Sequence, residues 1–416
     1  MVCGNNVVDG VLRPQAEIAA IPMHHQEIFQ QNLGLFMKKS LLRAALMAAL
    51  CMGIGSVCAA KPAGPVGIEA LGSKSAADVT AYTIGSEEMT VNDLLPMKSG
   101  SSGYSQKWEF YLYTAPCSAR LKFEISNFAF SKNEGKVKGY VQCYDGDKLT
   151  GDYRISQSFK SGSWQAAGDR LDLRFGSYTL TFDGALFHLD GTFEKGTFSY
   201  DIPARFWKPG TGDVYFGNSR ENIFRYGLMT YQSEVARGVV TIDGKPVQVT
   251  GTVYGNHYLA TIPVYDMFDE LADSRKITED VHMEFRYFVP TQKYDAEPFG
   301  FMFVASGGVP LISSIDLERT PVEQWVDDDN YGYEIDMRQQ IVATDDGNKA
   351  TIEMQSATAE PSDPYADLPA FQKNVASRFA KPIEYSIQTK TLLWLDVDGF
   401  RAKIPMPLSY SMTRMR

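Results

Sequence analysis

The sequence predicts an all-β protein made of two consecutive antiparallel β-barrels with few short helices. Two observations lead to this prediction. Apolar and polar residues alternate through short segments over most of the chain, which is typical of half-buried strands. Turns rich in glycine, aspartate and asparagine separate these segments at regular intervals, as they do in barrels and sandwiches.

The first half of the chain shows this alternation clearly. In "ARLKFEISNFAF" the apolar residues Leu121, Phe123 and Ile125 alternate with polar ones, and the following "KNEG" turns the chain. The returning strand is predicted in "KVKGYVQCY". Two further strands are predicted in "DRLDLRF" and "SYTLTF", before a turn at "DG". This half therefore indicates a series of hairpins.

The second half repeats the pattern. "GVVTIDGKPVQVTGTVY" predicts a hairpin around Asp243 and Gly244. The alternation of apolar and polar residues continues in "VHMEFRYFV", "FGFMFVAS" and "IEYSIQTKTLLWLDVDGFRAKIPM". Short helices are predicted only at residues 87–96, 263–273 and 368–380, the last with apolar residues on one face.

A change in composition near residues 232–238 predicts a boundary between the two halves, because a loop rich in glycine, asparagine and proline ends there. Each half then has a suitable size for one barrel. The predicted organisation is an extension, a signal peptide, a lead-in, barrel 1 and barrel 2, at residues 1–36, 37–60, 61–105, 106–235 and 236–416.

The N-terminal region predicts export. From Met37 the chain reads "MKKSLLRAALMAALCMGIGSVCAA", with a basic start, a short apolar stretch and small residues for cleavage near Ala59 or Ala60. We therefore expect translation to begin at Met37 and the product to be periplasmic or secreted. Cys117 and Cys143 follow the cleavage site and can pair in an oxidising compartment, although the hairpin between them predicts positions several residues out of register.

Composition excludes several classes of function. The net charge of −10 makes nucleic acid and anionic membrane surfaces poor partners. No apolar run after the signal peptide is long enough for a transmembrane helix. The sequence shows no phosphate-binding glycine loop, no nucleophile elbow, no CxxC pair and no pair of histidines spaced as metal ligands. We therefore expect neither a cofactor nor a metal, and the oligomeric state stays open.

The most suggestive segment chemically is Gly251–Phe268. Tyr254, Asn256, His257 and Tyr258 lie together there, and a histidine with two phenols can hold a polar head group or move a proton. These four residues are the predicted ligand-binding set, with His257 and Tyr254 as catalytic residues if the protein is an enzyme. The alternative is an ordinary strand end whose histidine is exposed or bonded to the backbone.

Three further candidates accompany this segment. Trp108 and Arg286 are predicted ligand-binding residues, since aromatic side chains can line a cavity and an arginine in a barrel can bind a carboxylate or phosphate head group. His188 and Asp190 share a strand face and can share a proton or a metal, or can simply face solvent. The acidic stretch 326–336 can bind calcium, but its spacing does not match an EF-hand and favours a surface loop.

Three stretches resemble the tandem lipocalin-like superfamily, which includes carotenoid 1,2-hydratases, yeast survival-factor proteins and lipocalin-like Diels–Alderases. They are "WEFYLY" (Trp108–Tyr113), "FHLDGTF" (Phe187–Phe193) and "RGVVTIDGKPVQVTGTVYGNH" (Arg237–His257). The resemblance covers roughly residues 80–416. It implies two calycin (lipocalin-like) barrels packed together, an apolar pocket in or between them, and a hydrophobic or lipid-like ligand.

The hydratases of this superfamily open their second half with an element similar to G-x-x-W-x-D-H-E, which carries the acid. In this chain Gly251, Tyr254 and His257 match the glycine, the aromatic residue and the histidine. Asn256 and Tyr258 stand where the aspartate and glutamate would be. Because an amide cannot protonate an alkene, the resemblance supports the fold and the pocket more than hydratase chemistry.

We therefore expect an exported protein that binds or carries a hydrophobic small molecule, such as a lipid or isoprenoid, in a lipocalin-type pocket. One alternative is a hydratase, cyclase or isomerase that acts on an apolar substrate by proton transfer. A second alternative is a structural or protein-interacting envelope protein with filled barrels.

Overall fold

The structure is a computed structural model. It describes residues 69–70, 87–97, 99–128, 131–146, 148–203, 206–208, 213–217, 221–229, 233–235, 237–277, 281–306, 309–329, 332–366, 370, 373–374, 377–378 and 380–415. The predicted extension, the signal peptide and most of the predicted helix at 368–380 lie outside the described residues.

Long antiparallel strands dominate the described chain. The strands up to residue 260 are β1 (Glu69–Ala70), β2 (Glu87–Glu88), β3 (Ser105–Ala115), β4 (Cys117–Phe128), β5 (Ser131–Asp145), β6 (Lys148–Phe159), β7 (Gln165–Ala166), β8 (Asp172–Phe175), β9 (Tyr178–Phe182), β10 (Phe187–Phe193), β11 (Gly196–Ile202), β12 (Phe206–Lys208), β13 (Asp213–Tyr215), β14 (Ile223–Met229), β15 (Ser233–Glu234), β16 (Arg237–Ile242) and β17 (Lys245–Ala260). The later strands are β18 (Phe268–Ile277), β19 (Val281–Pro290), β20 (Phe299–Ser306), β21 (Val309–Ser314), β22 (Asp316–Asp327), β23 (Tyr333–Asp345), β24 (Asn348–Ser362), β25 (Ile383–Val397) and β26 (Phe400–Arg414).

Helices are short and few in the described residues. Helix α1 (Val91–Leu94) precedes β3, helix α2 (Val264–Met267) joins β17 to β18, and a 3-10 turn covers Gln292–Tyr294. The helix predicted at 263–273 therefore ends after one turn and continues as a strand. No helix in the described part of the chain has both the length and the apolar character that crossing a bilayer requires.

The first sheet has the strand order β6-β5-β4-β3-β17-β16-β11-β10-β9-β8-β7, with β2 and β12–β15 joined to it through β14 and β17. It curls until its two ends face each other, so that Tyr153 of β6 stacks on Phe193 of β10 with ring centroids 4.9 Å apart. The chain leaves this sheet only after Ala260. The boundary expected near residues 232–238 therefore falls inside the first sheet, because β16 and β17 pair with β11 and β3.

The second sheet has the order β21-β20-β19-β18-β26-β25-β24-β23-β22, and β1 pairs with β26. Its ends meet through side chains, since the Ser314 hydroxyl donates to the backbone carbonyl of Thr344 on β23. Every strand pair in both sheets is antiparallel. The prediction of an all-β chain with two consecutive curled antiparallel sheets and few short helices is confirmed.

Large side chains fill the interior of each barrel. Every second residue of a strand points inward, so the alternation in the sequence becomes the core. In barrel 1 several inward-facing aromatic side chains have no accessible surface: Trp108, Phe110, Phe123, Phe175 and Phe187. In barrel 2 the equally inaccessible side chains are mostly aliphatic residues and methionines, together with one phenylalanine: Met283, Phe285, Met302, Val304, Ile335, Ile341 and Ile352. A side chain with no accessible surface does not line a space that water can enter.

Cys117 and Cys143 form a disulfide across β4 and β5. The two residues lie directly opposite each other in the register of the hairpin, with Cα atoms 4.0 Å apart. The sequence-based expectation that they lie several residues out of register is wrong. A register irregularity between Ser126 and Phe128, close to the turn of this hairpin, could not be seen in the sequence pattern.

Candidate functional site

The suggestive segment of the sequence forms the end of β17, and strand geometry divides its residues between two faces. Val253, His257 and Leu259 point into barrel 1, where Val253 and Leu259 join the hydrophobic core. Tyr254 and Tyr258 point the other way, toward barrel 2. The four-residue set expected at one place therefore does not assemble, because successive side chains on a strand alternate in direction.

Strand β19 of barrel 2 is divided in the same way. Met283 and Phe285 point into barrel 2 and belong to its core. His282, Glu284 and Arg286 point outward, and this face lies against the outward face of β17. The two barrels thus pack sheet on sheet, and both faces of β19 are buried.

A buried carboxylate lies at the centre of this contact. Glu284 has no accessible surface, and its Oε1 accepts hydrogen bonds from the Tyr226 hydroxyl at 3.0 Å and from Arg286 Nε at 3.1 Å. The Tyr254 hydroxyl donates to Oε2, and His282 Nε2 lies 3.9 Å from the same oxygen. These five residues are called the inter-barrel polar cluster below.

The electrostatics of this cluster keep Glu284 ionised. Burial opposes its charge, but the bond to His282 and the charges of Arg286 and the nearby Arg275 outweigh burial and lower the pKa of Glu284 to about 2. Burial raises the pKa of the Tyr226 and Tyr254 hydroxyls well above the ordinary phenol value. The cluster therefore consists of a carboxylate that accepts hydrogen bonds and of phenols that keep their protons.

Arg275 of β18 reaches into the same contact. Its guanidinium carbon lies 4.1 Å from the ring centroid of Tyr111 and 4.4 Å from that of Tyr254, so both rings can stabilise the cation. Within the described residues, Arg275 forms no ion pair with a carboxylate. The two glutamates that sense its charge are bound to other arginines: Glu109 to Arg120, at 2.6 Å, and Glu284 to Arg286.

The residues around Arg275 line a recess. Burial raises the pKa of Tyr111 and Tyr140, and it raises the pKa of Tyr113 to about 12. All three nevertheless keep part of their surface accessible, as does Arg275. A side chain that is deeply surrounded and still accessible lines a concave surface. This recess and the outward face of β17 as far as Tyr258 are together called the inter-barrel cleft below. Lys107 Nζ lies 5.0 Å from the centroid of the Tyr258 ring.

An aromatic cluster continues from the polar cluster. The Tyr226 ring stacks on Phe301 at 5.7 Å, while its hydroxyl bonds Glu284. The Phe224 ring packs edge-on against Phe268 and Phe288, each at 5.0 Å. Several large residues packed on this cluster are only half-buried: Trp207, Tyr258, Tyr294 and Phe299. Tyr226 therefore joins the two clusters, because its hydroxyl contacts the polar cluster and its ring contacts the aromatic cluster.

His257 belongs to a different environment, inside barrel 1. The Gln106 side-chain oxygen accepts from Met97 N–H at 2.8 Å and from the Tyr104 hydroxyl at 3.0 Å, so its nitrogen must donate. It donates to the Leu95 carbonyl at 2.9 Å and to His257 Nε2 at 3.1 Å. The tautomer inferred from this network carries its proton on Nδ1, and burial lowers the pKa of His257 to about 3.

The other predicted residues also separate. Trp108 is fully buried in barrel 1, packs against His257 at 5.5 Å and donates from Nε1 to the Leu94 carbonyl at 3.2 Å. Asn256 is buried and donates weakly to Glu109 at 3.5 Å. Arg286 does not point into a barrel as expected, but outward to the contact between the barrels. Tyr254 and Arg286 are thus the two predicted residues that meet in one cluster, and the assignment of these residues to a site stays a prediction.

Sequence reasoning missed Glu284 and Arg275. A signal for Glu284 was present in "VHMEFRYF", where polar residues occupy every second position between strongly apolar ones. That pattern indicates a strand whose polar face is either exposed or packed against another polar face. The sequence does not distinguish these cases, because Tyr254 and Tyr226, which bond Glu284, are 30 and 58 positions away in the chain.

The two remaining candidates have other partners than expected. His188 bonds Asp201 at 2.8 Å and Asp183 at 3.4 Å, whereas Asp190 accepts from the Thr179 hydroxyl at 3.1 Å. The acidic stretch is likewise used by the protein itself, since its buried carboxylates accept bonds from Tyr385, Gln324 and Arg319. Among the described residues, no group of histidine, cysteine and acidic side chains is arranged to hold a metal ion.

Comparison with known proteins gives fold-level similarity at low identity. No family model matches the chain, and no curated protein matches it. Similar solved structures include a candidate AttH from Nitrosomonas europaea (11% identity, 81% of this chain and 100% of that one, TM-score 0.43). Kievitone hydratase from Nectria haematococca shares 9% identity and is similar over 80% of this chain and 98% of its own, with a TM-score of 0.41. CghA shares 11% identity and is similar over 84% of this chain and 98% of its own, with a TM-score of 0.39.

Proposed function

We propose that the protein binds a hydrophobic small molecule, such as a lipid or isoprenoid, and that the molecule lies in the inter-barrel cleft. The observation that supports this most is the junction at Tyr226, where a polar cluster continues into half-buried aromatic rings. Sites for small molecules are typically apolar recesses with a few fixed polar groups. Removing apolar surface from water is worth about 25 cal/mol per Å², and the polar groups would orient one end of the molecule.

The interior of the barrels is the less favourable place. The inward-facing side chains Phe123 and Phe187 of barrel 1, and Phe285 and Met302 of barrel 2, have no accessible surface. A ligand in either interior would have to displace packed side chains, at a cost of several kcal/mol for each cavity opened. The cleft requires no such displacement, because its walls are already accessible.

Proton-transfer chemistry fits the cluster less well than binding. Protonation of an alkene needs a strong acid near the substrate. Glu284 is ionised, because the nearby arginines help to lower its pKa to about 2, and burial raises the pKa of the Tyr254 hydroxyl well above its usual range. His257 is neutral and faces the core of barrel 1. The hydratase or isomerase alternative would need a change in this arrangement.

We further propose that binding takes place outside the cytoplasm. The sequence from Met37 has the pattern of a secretory signal peptide. The disulfide between Cys117 and Cys143 supports this, because such bonds persist in oxidising compartments. Mass determination of the protein isolated from its own cells would test it, with cleavage near Ala60 as the expected result.

Photo-crosslinking tests the location of the ligand. The protein would be incubated with hexadecanol that carries a diazirine in its chain, then irradiated and digested. We expect labelled peptides from β3, β17 and β18, because Tyr111, Tyr258 and Arg275 of these strands line the cleft. Labelling confined to inward-facing residues would overturn the proposed site. A protein that takes up no hexadecanol and carries no apolar molecule in native mass spectrometry would favour a structural role.

A pair of tyrosine variants gives the matched control. Tyr258→Ala removes a half-buried ring from the cleft, and we expect about tenfold weaker hexadecanol binding, from the loss of roughly 1–2 kcal/mol of apolar contact. Tyr215→Ala removes an exposed ring on β13 and should leave binding unchanged. Equal effects of the two substitutions would contradict the proposal.

A further inference from the structure

We infer that the ligand is an amphipathic organic acid, whose carboxylate is bound by Arg275 beside the rings of Tyr111 and Tyr254. This inference rests on the proposed function and adds the chemical class of the ligand. It depends on three features of the cleft, namely an arginine that forms no ion pair with a carboxylate of the described residues, its accessible position, and the apolar surface beside it.

The first feature is that Arg275 makes no direct ion pair with a carboxylate of the described residues. Arginine stays protonated in proteins, so the guanidinium carries a full positive charge in this recess. The carboxylates that sense this charge already have arginine partners at 2.6 Å and 3.1 Å. Within the described residues no other carboxylate approaches Arg275 to ion-pair distance. A cation in such a place attracts an anion from outside the chain.

The second feature is the way in which Arg275 is held. Tyr111 lies 4.1 Å and Tyr254 4.4 Å from the guanidinium carbon, and the Tyr254 hydroxyl is fixed by its bond to Glu284. The two ring centroids are 5.9 Å apart, so both rings lie toward one side of the guanidinium, and a ligand would approach its N–H donors from the other side. Two parallel N–H groups on one edge match the two oxygens of a carboxylate.

The third feature is the surface beside Arg275, which indicates what kind of anion binds and that it carries an apolar tail. One guanidinium balances one negative charge, which favours a carboxylate over a doubly charged phosphate. The surface beside Arg275 is built from phenol rings, with Tyr113 and Tyr140 half-buried next to Tyr111. Such rings accept an apolar body while their hydroxyls stay near water. A free small anion would leave this surface unused, whereas an acid with a hydrophobic tail would cover it.

Paired ligands that differ only in the head group test the inference. Binding of cis-parinaric acid and of its methyl ester would be measured by fluorescence with the full-length, disulfide-bonded protein. We expect the acid to bind at least about tenfold more tightly than the ester, which is the effect of one charge-assisted bidentate contact. Equal affinity for the two would overturn the inference but leave the proposed function intact, and binding of neither would overturn both.

Substitutions then assign the preference to Arg275. Arg275→Gln should lower the affinity for the acid to that of the ester and leave the ester unchanged. Arg275→Lys should restore part of the preference, since it keeps the charge but loses the planar contact. The control Arg401→Gln removes an exposed arginine at the β25–β26 hairpin and should change neither affinity.

A purely structural role of Arg275 predicts a different result. If the arginine serves only to pack Tyr111 against Tyr254, Arg275→Gln should weaken acid and ester equally and lower the melting temperature. That outcome would overturn the inference. Circular dichroism melting curves of each variant would show whether a loss of binding comes from unfolding.

Discussion

The Tyr254 hydroxyl of barrel 1 donates a hydrogen bond to the Glu284 carboxylate of barrel 2. The two residues are 30 positions apart in the chain, lie on different sheets and are both inaccessible to solvent. This bond joins the outward faces of the two barrels at the point where the candidate site lies. A binding surface between the barrels therefore depends on the same residues that hold the barrels together.

The first prediction concerns Glu284. Glu284→Gln should lower the free energy of unfolding at pH 7 by on the order of 3 kcal/mol, because it leaves Arg286 and Arg275 without their nearest buried anion. The folded-state pKa of about 2 lies below the ordinary glutamate value. The ionised carboxylate therefore stabilises the wild type above about pH 4.5, and this contribution disappears as the pH falls toward 2.

Urea unfolding at a series of pH values between 2 and 7 would measure this effect. In Glu284→Gln the free energy of unfolding should depend less on pH between 2 and 4.5 than it does in the wild type. Glu323→Gln provides the control, since Glu323 is mostly exposed and its ion pair with Arg338 should contribute less than about 1 kcal/mol. Similar stabilities of Glu284→Gln and wild type would show that the buried carboxylate does not hold the barrels together.

The second prediction concerns His257. Its folded-state pKa of about 3 lies below the ordinary histidine value, so the unfolded chain binds a proton between about pH 6.5 and 3 while the folded chain does not. Stability should therefore fall over this range by about 1.4 kcal/mol for each pH unit. His257→Gln should remove this slope, because an amide does not titrate. Thermal unfolding at pH 7, 6 and 5 would check it, and identical slopes for variant and wild type would contradict it.

The third prediction concerns His188, which shifts in the opposite direction. The pKa of His188 is raised above its ordinary value, mainly by the hydrogen bond to Asp201. Its protonated form stabilises the fold below about pH 6.5, and the contribution disappears as the pH rises through the folded-state pKa. An NMR titration of the imidazole would give this pKa directly.

Two aspartate substitutions make this test specific. Asp201→Asn should bring the pKa of His188 back toward its ordinary value, because it removes the partner at 2.8 Å. Asp190→Asn should leave it nearly unchanged, since Asp190 bonds Thr179 instead. If Asp190→Asn lowered the pKa of His188 more than Asp201→Asn does, the His188–Asp190 pair expected from the sequence would be supported instead.

The fourth prediction concerns the disulfide. Replacing Cys117 and Cys143 by serine should lower the free energy of unfolding by about 3 kcal/mol, because the bridge closes a loop of 26 residues in the unfolded chain. Denaturant unfolding of the double variant would measure this. Thiol counting in denaturant should give two more thiols after reduction than before it, and equal counts before and after reduction would contradict the bridge.

The sequence alone determined the fold class, because alternation with a period of two is a direct consequence of strand geometry. It also drew attention to Tyr254, because Asn256, His257 and Tyr258 follow it closely, and to Arg286, because it lies between aromatic residues on a predicted strand. It did not place the end of the first sheet, because β16 and β17 look like the start of a new barrel and only their pairing shows otherwise.

The tertiary structure decided what each strand face contacts. Because successive side chains point to opposite faces of a strand, Tyr254 and His257 lie on different faces, as do Glu284 and Phe285. This rule does not tell which of the two faces packs on a second barrel. The polar faces of β17 and β19 are buried because the two sheets pack through them. Glu284 and Arg275 acquire their chemistry only from neighbours far away in the chain, and those neighbours are set by packing rather than by local pattern.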